Sequence, residues 1–137
     1  RKSSKITTTS ELVYVVEKLV PEKHRNKFLS KVFQSIRIEV NDEISSLEQM
    51  LLSAQDLLKV NGRLVVLSYH SLEDRLVKNL IRKGNFSGKV QKDFFGNPVR
   101  TLKEINKKVI VASALEIRNN SRARSAKLRI AIKKNDN

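Results

Sequence analysis

The chain has 137 residues, with 28 Lys plus Arg against 14 Asp plus Glu and a formal net charge of +14. A length in this range suits one ordinary domain. Only 4 Gly and 2 Pro exclude low complexity, and the lack of Cys excludes a disulfide framework or a Cys-based zinc site. No apolar run approaches the roughly 18–20 residues of a membrane span, and so large a positive excess suits a polyanionic partner, most simply RNA or DNA.

The first residue is Arg1 and no apolar stretch follows that could serve as a signal peptide. The expectation is a piece of a longer chain. Arg1 to Lys5 opens the sequence as a basic, frayed segment. Thr8 and Glu11 have capping-box spacing, and Leu12, Val15, Val16 and Leu19 follow at helical intervals until Pro21 stops the helix. Phe28, Leu29, Val32, Phe33 and Ile36 begin a second apolar stripe. It continues through Val40, Ile44, Leu47, Leu51, Ala54 and Leu58, and predicts a long amphipathic helix broken near Val40 to Asp42.

Asn61-Gly62 signals a turn. Arg63 to Tyr69 is a nearly continuous apolar run, the pattern of a buried strand in a parallel sheet. Ser71 with Asp74 is placed to cap the next helix, with Leu72, Leu76, Val77, Leu80 and Ile81 on its apolar face and Gly84 at its end. Asn85 to Thr101 reads as loop and Lys107 to Val111 as an edge strand. Ser113 with Glu116 starts a short helix to Asn119. The alternation of Ala126, Leu128, Ile130 and Ile132 with Lys127, Arg129 and Lys133 is a half-buried strand. The order suits the C-terminal half of an α/β sheet, with too few strands for a complete doubly wound fold.

Charge is unevenly spread. Ile38 to Leu58 holds five acids and no Lys or Arg, whereas Val77 to Lys134 holds sixteen basic residues against three acidic ones. Lys78, Arg82 and Lys83 have a plain role in complementing a helix C-terminus. Arg118, Arg122, Arg124, Lys127 and Arg129 are harder to explain that way, because five cations within twelve residues repel one another.

None of the four glycines forms a G-x-G pair or stands between a strand and a helix start, so no nucleotide or methyl-donor loop is present. With His24 and His70 as the sole imidazoles, no metal site is expected. Three segments stand out. Ser68-Tyr69-His70-Ser71-Leu72-Glu73-Asp74-Arg75 lies where a strand gives way to a helix, the place where open α/β sheets bind ligands. Capping by Ser71, dipole complementation by Glu73 and Asp74, and an ion pair from Arg75 to Glu48 or another acid are the plainer roles. A Ser71 nucleophile activated by His70 is disfavoured, since adjacent side chains diverge. Gln34, Arg37 and Asn41 share one helix face beside apolar positions, placed to meet a phosphate or a neighbouring loop. Asn120 to Arg129 is a basic loop in which small residues between arginines allow close approach to a phosphate backbone.

Val-Phe-Gln-Ser-Ile-Arg-Ile-Glu-Val-Asn-Asp-Glu (32–43), Ser-Tyr-His-Ser-Leu-Glu-Asp-Arg (68–75) and Asn-Ser-Arg-Ala-Arg-Ser-Ala-Lys-Leu-Arg (120–129) together resemble the MraW/RsmH family. These are S-adenosylmethionine-dependent methyltransferases acting on N4 of a cytosine in bacterial 16S rRNA. Leu57 to Leu64 resembles the family's Leu-Lys-Pro-Gly-Gly stretch, and Thr7 to Leu12 resembles the end of the helical insertion in its Rossmann-like core. Tyr69 stands where Phe is usual, Val60-Asn61 replaces Pro-Gly, and Ser35 takes a position often held by Ala.

The resemblance implies an α/β fold: the C-terminal part of a class I methyltransferase core at 27–137, preceded by the end of the insertion at 1–26. It implies that His70, Ser71, Glu73 and Asp74 rim the active crevice, with Glu73 or Asp74 as candidate proton acceptors. Substrate contacts are expected from Arg37, Asn41, Tyr69, Arg75, Arg122, Arg124 and Lys127, with Tyr69 stacking on the target base. The family's donor-binding half is absent from these residues. S-adenosylmethionine is therefore expected to bind the full-length enzyme and not this chain alone, which is expected to be inactive. The implied partners are 16S rRNA or the small ribosomal subunit and the N-terminal half of the same protein, in the cytoplasm, with a homodimer left open. The rival reading is a non-catalytic basic RNA- or ribosome-binding module.

Overall fold

The computed structural model describes residues 5–135. The frayed opening expected at Arg1 to Lys5 therefore lies, apart from Lys5, outside them. The chain divides into two compact units, Arg1–Glu43 and Ile44–Asn137. Residues 26 and 27, at the expected boundary, lie within the helix Arg25–Val40.

In the first unit, α1 (Thr9–Glu17) starts at the expected capping box. The Glu11 amide donates to Thr8 Oγ1 at 3.2 Å, and the Glu11 carboxylate accepts from the amides of Thr7 and Thr8 at 2.7 and 3.2 Å. Those amide hydrogen bonds hold the Glu11 carboxyl below its ordinary pKa. A 3-10 turn at Glu22–His24 leads from Pro21 into α2 (Arg25–Val40). Arg25 donates from Nε and Nη2 to Glu17 Oε2 at 3.0 and 2.6 Å, tying α2 to α1. α2 ends at Asn41, followed by Asp42 with φ 49°, a left-handed conformation that Asp tolerates. The single long apolar period thus becomes two helices, broken where expected.

In the second unit, α3 (continuing from Glu43 to Leu57) precedes β1 (Arg63–Ser68) and α4 (Ser71–Lys83). Then come β2 (Leu102–Glu104), β3 (Ile110–Val111), α5 (Ala114–Asn119), a 3-10 turn at Ser121–Ser125 and β4 (Lys127–Lys133). β4 is central. It pairs antiparallel with β1 from Arg63↔Ile132 to Ser68↔Lys127, and its other edge takes β2 at Leu102↔Lys133 and β3 at Ile110↔Leu128.

Two expectations are corrected here. β1 is not in a parallel sheet: every strand pairing among the described residues is antiparallel. Its continuous apolar run arises because both faces are apolar, yet only Leu64 and Ser68 are buried, while Val65 and Leu67 are 57% and 53% exposed. The N-cap of α4 is His70 and not Ser71, with Glu73 in the capping-box position. β2 follows the stretch read as loop, in residues for which no element was expected, and its three residues pair with β4.

Alternation along β4 sorts the sheet into two faces. Ala131 joins Leu51, Leu64, Val77, Leu80, Ile81 and Leu102 in the core, beneath α3 and α4. Val77, Leu80 and Ile81 form an i, i+3, i+4 stripe, and burying each side chain stabilises the unit by about 1.5–3 kcal/mol. Lys133 Nζ donates to the carbonyls of Gln55 and Asp56 at 2.9 and 3.3 Å, closing the C-terminus of α3. Gly84 ends α4 with φ 74°, and a Cβ there would collide with the Val99 carbonyl, so only glycine fits.

Candidate substrate crevice and nucleic-acid interface

Beyond the carboxyl end of β1 lies a crevice of about 250 Å³. Its walls are Leu67 and Tyr69 from the β1 end, Ile110 and Val111 of β3, Leu128 of β4, Glu116 of α5, and Ala123 and Ala126 at the 3-10 turn. Local capping positions these walls. The Glu116 amide donates to Ser113 Oγ at 3.2 Å, and the Glu116 carboxylate accepts from the Ser113 amide at 2.7 Å, which lowers its pKa. Asn120 Oδ1 accepts from the Arg122 amide at 3.1 Å and starts the 3-10 turn. Arg122 and Arg124 are exposed on either side of Ala123, which lines the crevice. Of the basic loop expected at 120–129, Ser121–Ser125 form a short 3-10 turn and residues 127–129 already belong to β4.

The candidate rim residues occupy the turn into α4. Glu73 Oε2 accepts from the amides of Tyr69 and His70 at 3.2 and 3.3 Å, and the Asp74 amide donates to the His70 carbonyl at 3.1 Å. Ser71 is the exposed first residue of the helix. Asp74 faces the sheet and is only 7% exposed. Arg129 donates to it from Nε and Nη2 at 2.6 and 3.1 Å, and Lys127 Nζ lies 3.5 Å from its Oδ2. Burial pushes the Asp74 carboxyl up. The hydrogen bonds and charge of Arg129, with Lys127 behind them, outweigh this and hold it below the ordinary carboxylate value. Asp74 is thereby tied to β4 through Arg129 and Lys127.

Asp74 also divides the cluster of five cations. Lys127 and Arg129 serve the covered face, whereas Arg118, Arg122 and Arg124 are exposed and have no ion-pair partner among the described residues. Farther along, Arg82 donates to Glu104 at 2.7 Å and to the Lys107 carbonyl at 2.5 Å. Arg75 is exposed and forms no ion pair among the described residues, so the expected bridge to Glu48 is not made. In the first unit, Arg37 donates to both Glu43 oxygens at 2.7 and 3.0 Å, and Asn41 Nδ2 donates to Glu43 Oε1 at 3.2 Å. Of the expected site residues, Tyr69 lines the crevice, and Arg122 and Arg124 are the exposed chain neighbours of its lining residue Ala123. Ile110, Leu128 and Glu116 were not singled out as site residues, since alternation and capping already accounted for them; Ala123, small and set between two arginines, carried the one usable signal.

Residues 1–134 match the sequence profile of the MraW methylase family. The chain is 50% identical to the ribosomal RNA small subunit methyltransferase H of Parabacteroides distasonis over 97% of its own length, and 50% identical to that of Bacteroides fragilis over 98%. The Flavobacterium johnsoniae protein of the same name is 52% identical over 93% of the chain. The chain spans 44% of the length of the first two relatives and 42% of the third. Matched from end to end in this way, the chain belongs to the MraW methylase family.

Proposed function

We propose that the chain is the C-terminal part of an S-adenosylmethionine-dependent enzyme that methylates N4 of a cytosine in 16S rRNA. On this reading residues 44–137 supply the target-base side of its active crevice. The observation that carries it is the crevice at the carboxyl end of β1, walled by Tyr69, apolar strand residues and Ala123, whose chain neighbours Arg122 and Arg124 are exposed. A base taken out of its stack needs an apolar slot with an aromatic face, and the displaced backbone needs cations.

The exocyclic amine of cytosine is a poor nucleophile, because its lone pair is delocalised into the ring. It must be held in line with the methyl group and must lose a proton as bonding develops. Tyr69 would stack on the ring. His70, Ser71 and Glu73, at the turn beyond Tyr69, would orient the amine or accept its proton. Asp74, through Arg129 and Lys127, would keep that turn seated on the sheet. Arg75 is a further proposed RNA contact of this unit, and Arg37 and Asn41 are proposed RNA contacts of the first unit.

The methyl donor itself does not fit the residues present. At both strand-to-helix turns among the described residues, β1–α4 and β3–α5, backbone amides already donate to Glu73 and Glu116. Neither turn contains glycine; Gly62 precedes β1, and Gly84, Gly88 and Gly96 occupy turns with positive φ. The donor site is assigned to the preceding part of the protein. The uncovered sheet face carrying Val65 and Leu67, and the β1 edge unpaired among the described residues, suit a neighbour from that part.

The test is methyl incorporation into unmethylated 30S subunits by the full-length protein. Wild type is expected to produce N4-methylcytidine in 16S rRNA. R122E/R124E is expected to raise KM at least about tenfold and to lower the salt slope of binding by roughly 0.7–0.9 per lost phosphate contact. No N4-methylcytidine from wild type would overturn the reading, and unchanged KM and slope would make both arginines structural.

A further inference from the structure

Between α4 and β2 the chain forms a second feature, remote in sequence from the crevice walls. Residues 91–99 make a small hairpin. The Val99 amide donates to the Gln91 carbonyl at 2.9 Å, the Asp93 amide to the Asn97 carbonyl at 2.9 Å, and Lys92 bridges Pro98. Asp93 Oδ1 accepts from the amides of Phe95 and Asn97 at 2.9 and 2.8 Å, and Gly96 closes the tip with φ 84°. The stem is tied down as well. Asn85 Nδ2 donates to the carbonyls of Lys83 and Lys89 at 3.1 and 2.7 Å, and Asn79 Nδ2 to that of Phe86 at 3.0 Å.

This ordered tip presents Phe94 and Phe95 at 98% and 85% exposure, their rings edge to face with centroids 5.7 Å apart. Two adjacent phenyl rings held in water by a hydrogen-bonded loop form an apolar patch that mere turn formation does not require. The surrounding charge identifies the occupant. Lys92 stands in the stem opposite Pro98, and Lys89 and Arg100 lie just before and just after the hairpin in the chain; none has an ion-pair partner among the described residues, and the one acid, Asp93, is spent on backbone amides. Aromatic faces beside unpaired cations match the stacked bases and phosphates of a single strand. We propose that the 91–99 hairpin is a docking element for single-stranded RNA, with bases stacking on Phe94 and Phe95 and phosphates meeting Lys89, Lys92 and Arg100. It extends the rRNA reading above and rests on it for the source of the strand.

The test uses the full-length protein and a 20-nucleotide single-stranded RNA carrying 2-aminopurine, with the same sequence as a duplex for comparison. F94A/F95A should weaken single-strand binding at least about tenfold and abolish the stacking quench, with duplex affinity within about twofold. F94W/F95W should restore both, and K89E/K92E should lower the salt slope by roughly 0.7 per contact. Equal affinity of wild type and F94A/F95A for the single strand would overturn the proposal. So would equal losses on strand and duplex, or a loss confined to binding of anionic lipid vesicles. Both substitutions lie at an exposed tip, and methyl incorporation into 30S subunits is followed in parallel. Wild type that stacks the RNA but methylates no rRNA counts against the enzymatic reading alone. Normal methylation with unaltered RNA binding by F94A/F95A counts against the hairpin alone.

Discussion

The two faces of β4 reverse the usual order of a sheet. The charged residues, Lys127 and Arg129, face the helices and are engaged by a buried carboxylate, while Leu128, Ile130 and Ile132 share the other face with half-exposed Val65 and Leu67. An ordinary half-buried strand keeps its polar side in water. Here the polar side is covered because Asp74 neutralises it, and the apolar side is left open. The comparison separates two kinds of cation that look alike in sequence: those held inward by Asp74, and those on the 3-10 turn that stay free for a polyanion.

The largest expected effect breaks the covered face. Asp74→Ala would leave Arg129 largely covered and unpaired, at a cost of about 3 kcal/mol in urea unfolding of this chain. The pH dependence has a definite sign. Because the folded-state pKa of Asp74 is depressed, its contribution is present above the ordinary carboxylate value of about 3.9 and is lost as pH falls through the folded value. The stability gap between wild type and Asp74→Asn should therefore be full at pH 6 and narrow below about pH 4. A gap that is constant across this range would mean that the Asp74 charge contributes nothing.

What was legible in the sequence was local. The capping boxes at Thr8–Glu11 and Ser113–Glu116, the break at Asn41–Asp42 and the stop at Gly84 each depend on residues within one turn, and each appears where spacing put it. What was not legible depends on partners far along the chain. Asp74 meets Arg129 fifty-five positions away, and Leu102 becomes a strand because Lys133 lies opposite. The direction of β1 belongs to the same class, since an apolar run carries no sign for parallel or antiparallel pairing. The crevice was legible only in part: Tyr69 and the 120–129 segment that contributes Ala123 were singled out, but its apolar walls look like any strand.

The open face gives a smaller effect with a sharper contrast. V65K/L67K places charges where the side chains are already half exposed, so the 137-residue chain should unfold within about 0.5 kcal/mol of wild type. In the full-length protein the same pair should cost several times more, because the face is then assigned to packing against the preceding part. Urea unfolding of both forms measures this. A loss above about 2 kcal/mol in the shorter chain would show that the face is already packed within residues 1–137; equal small losses in both would show that nothing covers it.

The smallest expected signal tests the same division through chemistry. If the part that covers the open face also holds the methyl donor, calorimetry of S-adenosylmethionine into this chain should give only the heat of dilution, while the full-length protein binds it. The β1–α4 and β3–α5 turns have their amides committed to Glu73 and Glu116, so donor binding there would require breaking a capping box first. Micromolar binding to residues 1–137 would mean that one of these turns opens at little cost. Hydrogen exchange would then identify it, at the amides of Tyr69 and His70 or at that of Ser113.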